Sequence, residues 1–137
     1  MSFLIDTNVI SEIRKQDRMD PHVAAWFSAV ADEDLFLSVL VIGEIRQGIE
    51  RIRPRDPQKA VALDRWLTRV KQLFGRRILP ITVSIAEEWG RLNRVRPLPA
   101  IDSLLAATAH VHDLTLVTEN VADIADTGVT CLNPFYP

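Results

Sequence analysis

Short apolar runs alternate with longer segments of helical period along this chain, and that alternation restricts the fold more than any other property of the sequence. Runs over 3–5, 35–37, 78–81, 115–118 and 129–132 have the length and residue types of strands. Between them lie helix signals. Asp6-Thr7-Asn8 opens a helix through Arg14, and Asp20-Pro21 is an N-cap with a first-turn proline, starting a helix to about 31. Ile42, Ile45, Ile49 and Ile52 stripe a helix over about 39–52. Asp56-Pro57 repeats the cap signal for a helix to about 74, striped by Ala60, Leu63, Leu67, Val70 and Phe74 and stopped by Gly75. Ser84 and Glu87 read as a capping box for a helix to about 94. Pro97 and Pro99 break the chain before a helix over about 101–112, and a short helix covers roughly 121–125. Strand–helix alternation implies an α/β fold, with a central, mostly parallel sheet of about five strands and helices on both faces. At 137 residues the chain is the size of one domain, no repeat or linker divides it, and 1–137 is expected to be a single domain.

Lys and Arg number 16 against 18 Asp and Glu, a net charge of −2, which disfavours a uniformly basic nucleic-acid-coating protein. The charge is segregated, however. Residues 46–96 hold 13 of the 16 basic residues and only five acids, a net +8, so the flanks together carry −10. Solvated helix faces are the ordinary explanation. The sharper one is a basic surface beside an acidic site, as an enzyme acting on a polyanion requires. A single cysteine, Cys131, forms no intramolecular disulfide and needs no oxidising compartment. The N-terminal apolar run ends at Asp6, too early for a signal peptide. The longest apolar stretch, over 35–42, is less than half a membrane span. A soluble, cytoplasmic protein without membrane contact is expected.

In open α/β sheets ligands sit beyond the carboxyl ends of the strands, and the acids gather there. Asp6 ends the first strand, Glu44 lies about two turns into the helix after the second, and Asp102 opens the helix after the proline break. Asn120 and Asp123 follow the fourth strand. Each aspartate also has a local reading as a cap or first-turn acid. Glu44 lies off the isoleucine stripe, with Gly43 beside it and Gly48 one turn on. Two glycines inside a helix cost roughly 1 kcal/mol each against alanine, so close approach of a ligand, or tight helix packing, is expected there. Clustered carboxylates repel, and a hard divalent cation such as Mg²⁺ or Mn²⁺, which prefers oxygen and keeps several waters, removes the conflict. Zinc is disfavoured, because His22, His110 and His112 lie outside the acidic set and Cys131 is alone. His110 and His112 read as charges at the end of their helix.

Taken in order, Phe3-Leu4-Ile5-Asp6-Thr7-Asn8-Val9-Ile10, the segment 37–48 around Glu44, the segment 101–109 opening Ile101-Asp102-Ser103, the segment 116–123 and the closing Asn133-Pro134-Phe135 resemble a PIN-domain ribonuclease, specifically the VapC-type toxin of bacterial toxin–antitoxin pairs. The resemblance spans essentially the whole chain. It implies a PIN-like fold and a Mg²⁺- or Mn²⁺-dependent endoribonuclease with Asp6, Glu44, Asp102 and Asp123 as catalytic and metal-binding acids. In that set Asp6 and Asp102 are the principal ligands, Glu44 supports the ion or its water, and Asn120 shares or takes the part of Asp123. The resemblance also implies a small inhibitory antitoxin and a homodimer. One position departs from the family's habit, since Glu119 stands where a basic residue is common.

On this reading Thr7, Asn8 and Thr118 orient water or phosphate, and Arg46 and Arg51 are the candidate RNA contacts nearest Glu44. Accessible bases favour single-stranded or loop RNA. Trp26, Trp66 and Trp89 lie within helical stretches and are expected to pack in the core or at an interface. A haloacid-dehalogenase-type phosphatase would need an aspartate where Asn8 stands, and a receiver domain would need a lysine later than Lys71. The remaining alternative is a non-catalytic PIN-like module that binds RNA or protein, against which the presence of all four acids argues.

Overall fold

The structure is a computed structural model that describes residues 1–94 and 96–136. Five strands form one sheet in the order β3-β2-β1-β4-β5. They are β1 (Phe3–Ile5), β2 (Leu35–Ser38), β3 (Ile78–Leu79), β4 (Thr115–Val117) and β5 (Cys131–Leu132). Every neighbouring pair is parallel, with Phe3 beside Leu35, and Leu4 and Ile5 beside Leu116 and Val117. Leu4, Ile5, Leu37, Leu116 and Val117 are all buried, as expected of parallel strands covered on both faces.

Helices α1 (Thr7–Ile13) and α2 (Pro21–Ala29) connect β1 to β2, and α3 (Val39–Ile52) and α4 (Pro57–Phe74) connect β2 to β3. The chain then recrosses the sheet through α5 (Val83–Leu92) and α6 (Ala100–Val111) to reach β4 on the far side of β1. Finally α7 (Val121–Ile124) leads to β5. Right-handed crossovers that step in opposite directions from the centre place their helices on opposite faces. The carboxyl ends of β1 and β4 therefore form the switch point of the sheet, and β1 delivers Asp6 there.

Caps set most of the helix starts. Asp20 accepts from the His22 and Val23 amides and Asp56 from Lys59, each ahead of a first-turn proline. The α3 stripe is rotated from the one read in the sequence: Val41, Ile45 and Ile49 are buried, while Ile42 and Ile52 are half-buried flanks. Helix α5 starts two residues earlier than the Ser84–Glu87 box implies. Pro80 follows the last residue of β3, and Thr82 takes the cap, accepting from the Ile85 amide at 3.3 Å, while Glu87 is exposed. The helix-packing reading of Gly43 and Gly48 is also corrected. A Cβ on either would meet nothing within 4 Å, so neither helix packing within this chain nor its backbone demands glycine there.

Candidate active site

Asp6 belongs to two elements at once. Its amide donates to the Val117 carbonyl at 2.9 Å, extending the β1–β4 ladder, while its side chain caps α1 through the Thr7 amide at 2.7 Å. Sheet and helix together leave the carboxylate almost buried, at 5% exposure. Its second oxygen accepts from the Thr118 hydroxyl at 2.7 Å and the Asn8 amide at 3.3 Å. Thr118 is buried at the end of β4 and in turn accepts from the Asn120 backbone amide at 3.0 Å. Asn8 reaches the same connection from the other side, its Oδ1 accepting from the Glu119 amide at 3.4 Å. Thr7, Asn8 and Thr118 thus position carboxylates and a loop instead of projecting towards solvent, which the sequence reading did not distinguish.

Glu44 is tied to this group through Thr7, whose hydroxyl donates to its Oε1 at 2.6 Å. Asp102 stands half-buried in the first turn of α6 and accepts no hydrogen bond among the described residues. Burial is the main reason its carboxyl is held above the ordinary aspartate range, and the fields of Asp6, Asp123 and Glu44 add to it. All four acids named from the sequence therefore act on one point. They do not make a closed cage: among the described residues no three His, Cys, Asp or Glu side chains group tightly enough to hold a metal ion alone. Asp6 and Asp102 line one depression with Thr118 and Asn120, whereas Asp123 is exposed at its margin in α7.

That donor set fits a hard cation that brings its own water. Mg²⁺ retains several waters and needs only one or two carboxylates, and every side-chain donor here is oxygen or amide. The charged neighbours that raise Asp102 are all acids, and no basic group is among the causes of its shift.

The basic residues nominated from the sequence sit differently. Arg46 is held by Glu50 at 3.1 Å and Asp64 at 2.7 Å, and Arg53 binds the same two acids, locking α3 to α4. Those guanidiniums pull the Glu50 carboxyl down to about 2. Arg51 is exposed. Of the tryptophans, Trp26 packs edge-on against Phe3, Trp66 lies under Arg14, and Trp89 donates to the Ser103 hydroxyl at 2.9 Å. A recess of about 620 Å³ between α1, α2 and α4 is lined by Ile10, Phe27, Leu63 and Trp66 and contains none of the four acids. Sequence reasoning missed Glu88, which is 7% exposed in α5 and bound by Arg91 and by His110 of α6. Its i,i+3 spacing to Arg91 was a readable signal, but the His110 partner was not, and His110 faces Glu88 instead of merely closing its helix.

Residues 3–127 match the family model described as PIN domain. The toxin FitB of Neisseria gonorrhoeae is 31% identical over 139 residues, covering 97% of this chain and 98% of that protein. A VapC ribonuclease of Sinorhizobium fredii is 27% identical, covering 98% of each. The crystal structure of FitAcB from Neisseria gonorrhoeae superposes with a TM-score of 0.88 at 29% identity, over 98% of this chain and 99% of that one.

Proposed function

The chain belongs to the PIN-domain family, and on that premise we propose that it is a divalent-metal-dependent endoribonuclease acting as the toxin of a toxin–antitoxin pair. Residues 1–137 are read as one such domain, working in the cytoplasm as a homodimer that a small cognate antitoxin inhibits. The observation that carries the reading is the convergence of Asp6, Glu44 and Asp123 on Asp102, with Asp6 and Asp102 lining one depression. Relatives described as a toxin and as a VapC ribonuclease support it. A non-catalytic binding module would have no use for an acidic set that raises one of its own carboxyls.

Mg²⁺, or Mn²⁺ in its place, would be held by Asp6 and Asp102. When bound it supplies polarisation of the phosphodiester and acidification of a water. The chain's own groups do the rest. The Thr7 amide and Thr118 hydroxyl fix both oxygens of Asp6, so its orientation does not change when substrate arrives. Thr7 occupies one oxygen of Glu44, leaving the other to take a proton from the attacking water. Asn120 lines the depression and would face the phosphate, and Asp123 adds its field at Asp102.

Cleavage of a mixed-sequence single-stranded RNA by the purified chain should require added Mg²⁺ or Mn²⁺ and stop with EDTA. Asp6→Asn and Asp102→Asn should each reduce it by on the order of a hundredfold or more. Induced expression should arrest growth, and Asp102→Asn should relieve the arrest. Metal-independent cleavage, or equal cleavage by wild type and Asp6→Asn, would overturn the assignment.

A further inference from the structure

With Arg46 and Arg53 neutralised between Glu50 and Asp64, the positive middle of the chain needs another place to meet a polyanion. A recess of about 270 Å³ lies where the end of α5 and the approach to α6 meet the turn that follows α7. Arg91, Arg94 and Arg96 line it, against one acid, Asp126, with Leu92 and Leu98 supplying apolar surface. We propose that this recess is an RNA-backbone subsite, in which the three arginines bind a phosphate of single-stranded RNA next to the scissile bond. The inference rests on the ribonuclease reading and extends it to how the substrate is held.

Three observations support it. First, the guanidiniums are available. Arg94 makes no ion pair among the described residues, and only a 3.4 Å contact to the Arg91 carbonyl holds it. Arg91 gives its Nε to Glu88 at 2.9 Å, and its two terminal amino groups make no hydrogen bond among the described residues. Arg96 is paired with Asp126 at 2.9 Å, but the side chains are 49% and 74% exposed, and so solvated a pair is readily exchanged for a phosphate. Second, arginine presents a planar fork that matches phosphate geometry, and three forks against Asp126 in the lining and Glu88 behind Arg91 still leave the recess net positive. Third, the recess adjoins the acidic depression along the chain on both sides. Leu98 stands four residues before Asp102, and Asp126 stands three residues after Asp123. The recess and the depression also share a wall, since Ile124 lines the depression and Asp126, two residues on, lines the recess, which puts a phosphate site beside the acids, and the apolar surface suits a ribose.

The test uses the full chain and a fluorescein-labelled mixed-sequence single-stranded RNA. Anisotropy in EDTA reads binding, and Mg²⁺-dependent cleavage of the same RNA reads activity. The triple variant Arg91→Gln, Arg94→Gln, Arg96→Gln should raise Kd on the order of tenfold at about 0.1 M salt and flatten the slope of log Kd against log salt by at least about 0.7, the value for one single-strand phosphate contact. Asp126→Asn should act oppositely, tightening binding about twofold by releasing Arg96, an effect that misfolding cannot imitate. Wild-type Kd and slope in the triple variant would overturn the subsite while cleavage by the wild type leaves the ribonuclease reading standing. A weaker Kd with an unchanged salt slope, or loss of binding in Asp126→Asn, would equally overturn it. A wild-type chain that neither binds nor cleaves the RNA would remove the ribonuclease reading and the subsite together.

Discussion

Thr118 is buried to 1% exposure, and its hydroxyl has one proton to donate, which goes to Asp6. Its lone pairs receive the Asn120 amide at 3.0 Å. A single γ-oxygen thus joins the carboxylate at the end of β1 to the loop after β4. Valine keeps the shape and removes these bonds, leaving the Asn120 amide without this partner and the second oxygen of Asp6 held by Asn8 alone. Thr118→Val should lower stability by about 1–3 kcal/mol, read from the urea midpoint. The Mg²⁺ concentration for half-maximal RNA cleavage should rise roughly 10- to 100-fold, because the ligand is no longer oriented. A stability loss with an unshifted Mg²⁺ requirement would mean the hydroxyl only packs.

Among the elements, α5 and α6 show how a polar clasp docks a helix that carries a site residue. Glu88 of α5 accepts from Arg91 at 2.9 Å and meets His110 near the end of α6, while Trp89 donates to Ser103 one residue after Asp102. The Arg91 bond is the main influence holding the Glu88 carboxyl below its ordinary 4.5; burial opposes it, and His110 assists Arg91. A carboxyl lowered in the folded state adds stability above its unfolded value, and loses it as pH falls through the folded one. Glu88→Gln should therefore cost about 1 kcal/mol at neutral pH, and the difference should shrink as pH drops below 4.5. Urea midpoints of both proteins across that range check it, and a penalty that persists in acid would show that packing, not charge, is lost. The sequence signals for these helices were local and legible, namely the prolines before α6 and the periodicity of both. The clasp joins positions 22 residues apart and has no local signature.

At the scale of the whole molecule, the net charge of −2 is the sum of a basic middle and acidic flanks, and the fold resolves each differently. Part of the middle closes on itself between α3 and α4. The four site acids instead converge from four connections of the sheet, so that burial first, and then Asp6, Asp123 and Glu44, raise the Asp102 carboxyl. A raised carboxyl favours the folded state while protonated, and that contribution disappears as pH rises from the ordinary 3.8 through the raised value. Without metal at neutral pH, Asp102→Asn should therefore melt higher than wild type. Added Mg²⁺ should stabilise the wild type, by about 2.7 kcal/mol at a hundred times its Kd, and leave the variant nearly unmoved. Thermal melts with and without Mg²⁺ at neutral pH read both effects. A variant that melts lower without metal, or gains as much from Mg²⁺, would refute the shared electrostatic site.

Caps, proline breaks and the alternation of short apolar runs with helical stripes lie within a turn or a strand of one another, and so the sequence by itself determined the element order, the α/β class and the four acids at strand ends. Burial of one β-branched stripe against another, Thr82 in place of Ser84 as a cap, and the open space around Gly43 and Gly48 depended on neighbours that the local pattern does not specify. Only the tertiary structure decided that β4 lies beside β1, bringing Thr118 to Asp6 across 112 residues. It also engaged Arg46 with Asp64 and opened the recess that Arg91, Arg94 and Arg96 share. The physical reason is that strand order is set by the crossovers and by burial of both sheet faces at once. Charge pairing then follows from which surfaces that order brings together.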